Sequence, residues 1–276
     1  SVMNADDYRA YVGGTSGLIY GYVNDGFYKV EDFEYFDSKS RTWKLKEGVV
    51  DSSPLSDTPR PGNAKFKKLT PVDPNSSNPY QLTEADRTVI GNTTPKFSGG
   101  FGLNATYKGF DLSMFFNFMY DFDVFNANKV MLTTWADNHE NNFGMEVASD
   151  KRWRNFDDMG NEIRYSPELL AEFNKNATMW NPTSIGKPIS MSYAVEDGSF
   201  LRLNSATLGY TLPQEWTKKA GLNKVRFYVA GSNLFTITGY SGYDPEVDIA
   251  TGLTPNIDNN RYPRSRTYTF GAQLTF

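Results

Sequence analysis

The sequence predicts an all-β protein, a transmembrane antiparallel β-barrel, from one long hairpin, a last strand of the same pattern, and the lack of a long apolar run. The hairpin occupies residues 97–122. Its apolar set alternates with small or polar residues and comprises Phe97, Gly99, Phe101, Leu103, Ala105, Tyr107, Phe110, Leu112, Met114, Phe116, Phe118, Tyr120 and Phe122. Since strand side chains alternate, each arm has one apolar and one hydrophilic face, with Phe115 and Met119 as exceptions. The turn Lys108-Gly109 pairs Tyr107 with Phe110, so the two apolar faces form one face of one sheet.

Strand length and aromatic placement favour a membrane sheet over a soluble one. Each arm has about eleven to thirteen residues, whereas a tilted membrane strand needs roughly 9–11 and a soluble strand has about 5–6. Aromatic residues stand at the ends of both arms, as in an interfacial girdle. A hairpin alone leaves backbone groups unpaired in lipid, so it must belong to a closed barrel. The alternative is an aromatic-rich soluble β-sandwich.

The end of the chain has the same alternation. Tyr268, Phe270, Leu274 and the terminal Phe276 share one face with Ala272, while polar or small residues occupy the other. This ending resembles the signal by which bacterial outer-membrane barrels are recognised for assembly. It favours the membrane interpretation over the sandwich.

Composition narrows the function classes. Among the 276 residues the net charge is −4, so a nucleic-acid partner has no electrostatic support. The chain has no cysteine, which excludes disulfides, thiol nucleophiles and cysteine-ligated zinc. No apolar run approaches about 18 residues, so helical membrane spans are excluded. The chain starts Ser-Val-Met-Asn without a signal-peptide pattern, and we expect either mature sequence or a piece of something longer.

The first half contains an aromatic strand and two long loops around the hairpin. Residues Gly17–Tyr28 predict a strand that ends in a turn at Asn24-Asp25-Gly26. Residues 29–92 are polar and rich in proline, but recurrent aromatics predict an ordered loop with short extended pieces. Residues 126–198 form a second long loop. It contains a predicted helix over Pro167–Phe173, with Ser166 as its cap.

The second half predicts three further strands. Phe200–Leu212 has the apolar stripe Ala206, Leu208, Tyr210 and Leu212. A short helix over Pro213–Asn223 is closed by Gly221. Val225–Phe235 forms the next strand, a third loop covers residues 239–264, and the final strand follows.

Loop lengths predict how the barrel is oriented. Bacterial barrels have short periplasmic turns and long extracellular loops. The Lys108-Gly109 turn and the Pro213 segment are therefore expected on the periplasmic side. The three long loops are expected outside.

Several motifs, in order, resemble the C-terminal part of SusC/RagA-type TonB-dependent transporters of the Bacteroidetes outer membrane. They are Gly91–Phe97 (GNTTPKF), Tyr107–Leu112 (YKGFDL), Asp197–Leu203 (DGSFLRL), Thr207–Pro213 (TLGYTLP), Ser232–Phe235 (SNLF), Tyr240–Val247 (YSGYDPEV) and Tyr262–Phe270 (YPRSRTYTF). The resemblance implies a barrel of about 22 strands with a plugged lumen. It also implies that residues 1–276 are the C-terminal part of that barrel, without the plug domain and the TonB box.

The resemblance implies a function and partners. It implies active import of a nutrient across the outer membrane, most often an oligosaccharide and sometimes a peptide, without a catalysed reaction. A SusD-like surface lipoprotein would cover the outer loops. TonB would supply energy through the plug, and outer-membrane lipid and lipopolysaccharide would surround the barrel. The alternatives are a passive porin or surface adhesin, and then a soluble lectin-like sandwich or a barrel hydrolase.

Candidate site residues are few. The loop aromatics that present flat faces to sugar rings or peptide side chains are Trp135, Trp153, Trp180, Tyr193, Tyr240 and Tyr243. Packing of the loops is the competing explanation for them. Asp73 is the one carboxylate of Leu69–Tyr80, where the family often has a calcium-like run, so no metal is predicted there.

Other polar residues have weaker functional interpretations. His139 is the single histidine, and no Gly-x-Ser-x-Gly elbow accompanies it. No catalytic residue and no cofactor are predicted. Asp244, Glu246 and Asp248 are interpreted as loop structure rather than as a metal site. Arg261, Arg264 and Arg266 are expected either to meet anionic lipid headgroups or to be solvated.

Overall fold

The computed structural model describes residues 7–134, 144–147, 150–186, 188–247 and 254–276. The chain divides into two compact units. Unit 1 comprises Ser1–Asn92, Phe125–Val195 and Ala250–Asn260, and unit 2 comprises Thr93–Val124, Glu196–Ile249 and Arg261–Phe276.

Strands dominate the described residues. The strands are β1 Tyr8–Arg9, β2 Leu18–Gly21, β3 Asn24–Phe27, β4 Phe33–Asp37, β5 Thr42–Leu45, β6 Ala64–Phe66, β7 Thr88–Asn92, β8 Phe97–Tyr107, β9 Phe110–Tyr120, β10 Asp123–Asn126, β11 Val195–Asp197, β12 Phe200–Thr211, β13 Lys224–Thr238, β14 Ile257–Asp258 and β15 Thr267–Thr275. The α-helices are α1 Ala127–Thr133, α2 Pro167–Phe173 and α3 Gln214–Thr217. None of the helices in the described ranges is long and apolar enough to span a membrane.

Unit 2 contains a five-stranded antiparallel sheet in the order β15-β13-β12-β9-β8. The predicted hairpin is confirmed residue by residue, since β8 and β9 pair from Phe97 with Tyr120 to Tyr107 with Phe110. Lys108 and Gly109 have positive φ angles of 45° and 87°, as a two-residue hairpin turn of the I′ type requires.

A bulge interrupts β12 before the predicted apolar stripe begins at Ala206. Strict alternation from Ala206 would place Asn204 and Arg202 on the apolar face. Instead the register shifts between Leu203 and Ser205, with Leu203 opposite Phe116 and Ser205 opposite Phe115. Asn204 is thus one extra residue, which exchanges the two faces beyond it. Leu203 therefore joins the apolar face, and Arg202 lies on the opposite one.

The register places the long connections of the sheet at one end. Phe200 pairs with Met119 and with Thr238, so β9 ends, β12 begins and β13 ends there. The other end carries the Lys108-Gly109 turn and the segment from β12 to β13. This is the alternation of short and long connections that the sequence predicts.

Two predicted helices are confirmed with their capping residues. α2 begins at Pro167, and the Ser166 hydroxyl accepts a hydrogen bond from the Leu169 amide at 3.5 Å. α3 continues into a 3₁₀ turn over Lys218–Ala220, which Gly221 terminates in the left-handed conformation with φ 73°.

The prediction for residues 17–28 is partly wrong. Two short strands, β2 and β3, replace one aromatic strand, and Asn24–Gly26 lies within β3 rather than in a turn after it. β2 pairs with β7, whereas β3 pairs with β6. The change of partner between them explains why one strand becomes two.

Unit 1 has its own hydrophobic core, although the sequence assigns most of it to loops. Ile19, Phe66, Trp180 and Met191 are among its fully buried residues. A second cluster joins Trp153, Ile163 and Leu170. Burial of apolar side chains thus orders the described parts of residues 29–92 and 126–195.

A buried carboxylate connects the two ends of segment 68–86 of unit 1 through hydrogen bonds and an ion pair. Asp86 is fully buried and accepts hydrogen bonds from the amides of Leu69, Thr70 and Thr83 at 2.8–2.9 Å. Lys68 Nζ lies 3.3 Å from the same carboxylate. Burial acts to raise the pKa of Asp86, but the hydrogen bonds from Thr70, Thr83 and Leu69 hold it well below its usual value. Asp86 is therefore ionised and structural.

Candidate functional site

The five-stranded sheet has one apolar face, and that face is accessible to solvent. The register joins Ala105, Leu112, Leu208, Val229 and Phe270 in one row across all five strands. Phe101 is 44% exposed, Leu208 45% and Phe270 80%. Soluble proteins rarely leave so continuous an apolar surface open to water. Hydrocarbon is the medium that suits it.

The opposite face is polar or small. Its central row joins Asn104, Ser113, Thr207, Ala230 and Thr269. All of β8 is exposed on both faces, so nothing within unit 2 covers that strand. A sandwich would bury one face of such a sheet.

The two apolar exceptions of β9 on the polar face have separate explanations. Phe115 lies over β8, where a Cβ on Gly100 would come within 2.8 Å of its ring. Met119 packs against a cluster of Phe122, Phe200 and Tyr240 at the end with the long connections. Met119 is thus partly buried by that cluster, whereas Phe115 lies over a glycine and remains 43% exposed.

An ion pair crosses one strand of the polar face. Arg226 of β13 reaches over β12 to Asp111 of β9, with Nε 2.9 Å from Oδ1 and Nη2 2.5 Å from Oδ2. Gly209 of β12 makes this approach feasible, because a Cβ there would lie 2.3 Å from the guanidinium. The glycine is needed for the close contact rather than for its backbone angles.

A buried cluster of charged residues joins the loop after β13 to the polar face. Arg202 is 2% exposed, and its Nη2 lies 2.5 Å from Asp244 Oδ1 and 3.6 Å from Glu246 Oε2. Arg264 Nη2 is 2.6 Å from the other oxygen of Glu246. We name Arg202, Asp244, Glu246 and Arg264 the arginine–carboxylate cluster.

Asp244 is ionised within this cluster. Burial acts to raise the pKa of the Asp244 carboxyl, but hydrogen bonds from Arg202 and the Glu246 amide, with the Arg202 charge, bring the net shift below the usual value. The Glu246 amide donates to Asp244 Oδ1 at 2.9 Å. The cluster is thus a set of opposite charges that compensate one another.

A cavity of about 260 Å³ adjoins the arginine–carboxylate cluster. Its lining includes Thr236, Tyr243 and Arg266, together with three members of the cluster. Tyr243 is 85% exposed. The arrangement offers hydrogen-bond donors and one open aromatic ring to a passing solute.

The structure separates the predicted loop aromatics by exposure. Trp153 and Trp180 are buried in the clusters of unit 1, where Trp153 lies edge-on to Phe27 and Trp180 edge-on to Tyr193. Tyr193 is partly buried, and Tyr240 is buried in unit 2. Tyr243 is open. Trp135 lies outside the described residues, as do His139 and Asp248.

Sequence reasoning missed Arg202 as a site residue. Its partner Asp244 lies 42 residues away, and no local pattern connects them. Arg264, expected at lipid headgroups or in solvent, is 46% exposed and also pairs with Glu246. The bulge at Asn204 is what directs Arg202 to this face.

The proposed assembly residues lie together at one sheet edge. Tyr268, Phe270 and Leu274 belong to β15 and are 61%, 80% and 52% exposed, and Phe276 follows the strand at 83%. Their spacing places them on one side of the strand.

The chain is similar to curated TonB-dependent receptors. It is 32% identical over 266 residues to TonB-dependent receptor P3 of Formosa agariphila, covering 94% of this chain and 22% of that protein. It is 37% identical over 86 residues to TonB-dependent receptor SusC of Bacteroides thetaiotaomicron, covering 30% of this chain and 8% of SusC. The chain thus spans about a fifth of the length of the first relative. No family model matches it.

The fold is similar to part of a solved transporter. The RagAB peptide transporter superposes with a TM-score of 0.61 at 23% identity, over 95% of this chain and 23% of that chain. The RagAB peptide importer in its open-open state gives 0.60 at 22% identity, with the same coverage. The 32% identity over 94% of the chain shows that the chain belongs to the TonB-dependent receptors. Within that class the chain is SusC/RagA-like.

Proposed function

We propose that this chain is a section of the barrel wall of an outer-membrane nutrient importer. The observation that carries the proposal is the sheet of unit 2, with strands of 9–15 residues, one open apolar face and one polar face. A membrane strand needs about 9–11 residues when tilted. Lipid would contact the apolar face, and the polar face would border the water-filled lumen.

A closed barrel of about 22 strands would complete the sheet. β8 and β15 stand at its two edges, and an unpaired strand edge in lipid is costly because nothing there accepts its hydrogen bonds. The remaining strands would come from sequence outside this chain. On this basis residues 1–276 belong to the C-terminal part of the barrel domain.

The loop pattern supports an orientation. Short turns face the periplasm in bacterial barrels. The Lys108-Gly109 end of the sheet would then be periplasmic, and the long loops over residues 29–92, 124–198 and 239–264 would be extracellular.

Partners and cargo follow from the family. A SusD-like lipoprotein would capture the nutrient outside, and TonB would act through a plug region. Oligosaccharide is the preferred cargo, with peptide as the alternative, since RagAB is a peptide transporter. Among the five predicted loop aromatics that the structure describes, Tyr243 is the most exposed and would contact cargo, while Trp153 and Trp180 would contribute by packing.

Uptake by cells tests the proposal. We expect the protein to fractionate with the outer membrane and to require detergent for extraction. We expect deletion of its gene to abolish growth on one oligosaccharide or peptide. A protonophore should stop uptake without stopping surface binding. Uptake that persists without TonB would instead identify a passive porin, and recovery in the aqueous fraction would contradict the proposal altogether.

A further inference from the structure

A cavity in unit 1 is large enough for a small ligand and is rich in arginine. Its volume is about 540 Å³, within the range of roughly 300–1,000 Å³ typical of ligand pockets. Residues 152–158 form one side, and Arg164 and residues 181–183 form the rest. The main chain there is fixed, since the Trp153 amide donates to Met179 O at 2.8 Å and the Asn181 amide to Gly62 O at 2.8 Å.

Three arginines belong to the cavity lining, and the pairing of their guanidinium groups differs. Arg154 Nη1 lies 2.6 Å from Asp158 Oδ1, and Arg164 Nε lies 3.2 Å from Glu162 Oε1. Arg152 has no ion pair with any residue of the described ranges. Each paired arginine also keeps N–H groups that its single carboxylate contact leaves unused.

The carboxylates of the lining do not neutralise Arg152. Asp158 is held by Arg154. Asp157 accepts hydrogen bonds from the amides of Met159 and Asn161 at 2.9 and 2.8 Å, within its own turn. Asp158 and Glu162 thus pair with Arg154 and Arg164, and Asp157 is hydrogen-bonded within its own turn, so none of these carboxylates forms an ion pair with Arg152.

The remaining lining suits a ligand with an apolar or ring-shaped part. Phe156 is 48% exposed at the cavity. The Trp153 indole is buried, and its Nε1 has no acceptor among the described residues. An open ring face and guanidinium donors are groups that recognise a carboxylate-bearing solute.

We propose that this cavity binds the carboxylate of an anionic ligand, with Arg152 as its principal contact. The carboxylate could belong to a uronic-acid oligosaccharide or to an acidic peptide. This proposal rests on the proposed function only in taking the ligand to be cargo. Arg152 would make a charge-assisted pair with the carboxylate, and Phe156 would contact the neighbouring ring or side chain.

Titration calorimetry on the full-length protein in detergent tests the site. The probes are tetragalacturonate, tetraglutamate and, as the neutral comparison, maltotetraose. We expect saturable binding of one anionic probe and none of maltotetraose at the same concentration. The probe that binds identifies the source of the carboxylate. Arg152→Gln should weaken that binding by roughly tenfold to a hundredfold, the loss expected for a hydrogen bond to a charged group.

Two further variants keep the result interpretable. Arg41→Gln removes the same charge from an exposed position of unit 1 and should leave affinity unchanged. Arg152→Lys keeps the positive charge but loses the planar bidentate guanidinium, so its affinity should be intermediate. This variant provides the test if Arg152→Gln does not fold. Equal affinity of Arg152→Gln and the parent protein, or absence of binding by both anionic probes, would overturn the proposal. Cellular uptake is measured separately, so failure of this site leaves the importer proposal standing.

Discussion

Arg202 links the loop after β13 to the sheet through a buried ion pair. Its guanidinium is 2% exposed, and the side chains of Asp244 and Glu246 are 11% and 10% exposed. Removing one member of a buried ion pair is costly because the other charge stays behind without compensation. Glu246 retains Arg264, but Asp244 has no second ion pair among the described side chains.

We predict that Arg202→Ala lowers the free energy of unfolding by about 3–5 kcal/mol, because it leaves the Asp244 carboxylate buried and uncompensated. Urea unfolding in lipid vesicles measures the change. Arg266→Ala is the matched control, since Arg266 is exposed beside the same cavity, and it should change stability by less than about 0.5 kcal/mol. Equal effects of the two variants would contradict this account of the arginine–carboxylate cluster.

The contribution of the Arg202–Asp244 ion pair to stability depends on pH, and the pKa shift of Asp244 gives its direction. The folded pKa of Asp244 lies below its ordinary value of about 3.9, so its contribution is present above that pH and is lost as pH falls through the folded pKa. The stability difference between the parent protein and Arg202→Ala should therefore be constant near neutrality and shrink below about pH 4.

At the scale of the element, the β8–β9 hairpin shows how alternation separates two environments. Met114 pairs with Leu103 and Ala206 on the apolar face. Its neighbour Ser113 pairs with Asn104 and Thr207 on the polar face. One position along the strand thus changes the medium that a side chain meets.

We predict that Met114→Arg destabilises the protein by about 2–4 kcal/mol, the cost of arginine near the bilayer midplane. Ser113→Arg, one residue earlier, should cost much less because water hydrates the new charge on the luminal side. Unfolding of both variants in vesicles compares them directly. A larger loss for Ser113→Arg would reverse the assignment of the two faces.

At the scale of the whole molecule, we expect membrane insertion to depend on the last strand. β15 pairs with β13 from Thr267 to Thr275, and its other edge has no partner in the sheet. Phe276 follows it with 83% of its surface exposed. A free edge next to exposed aromatic side chains is consistent with recognition by assembly machinery.

We predict that Phe276→Ala reduces the amount of assembled protein in the outer membrane severalfold, since it removes the terminal aromatic of the proposed signal. Quantitative immunoblotting of membrane fractions measures this. Thr275→Ala changes the adjacent residue on the opposite side of the strand and should assemble normally. Normal levels of the Phe276 variant would show that the terminal aromatic is not part of an assembly signal.

The sequence alone determined the hairpin, its two-residue turn, the final strand and the helix over Pro167–Phe173. These features depend on local rules, namely the two-residue period of strands, positive φ at a tight turn and side-chain capping. Each involves residues near one another in the chain, so the pattern is visible without knowledge of distant partners.

Only the tertiary structure decided which face Arg202 occupies, what it binds, and which loop aromatics are open. The bulge at Asn204 follows from pairing with β9 and β13, and the contact with Asp244 joins residues 42 positions apart. Likewise, Trp180 is buried and Tyr243 exposed because of neighbours from remote segments. Strand pairing and burial bring together residues that are distant in the sequence. A local sequence pattern does not predict such contacts.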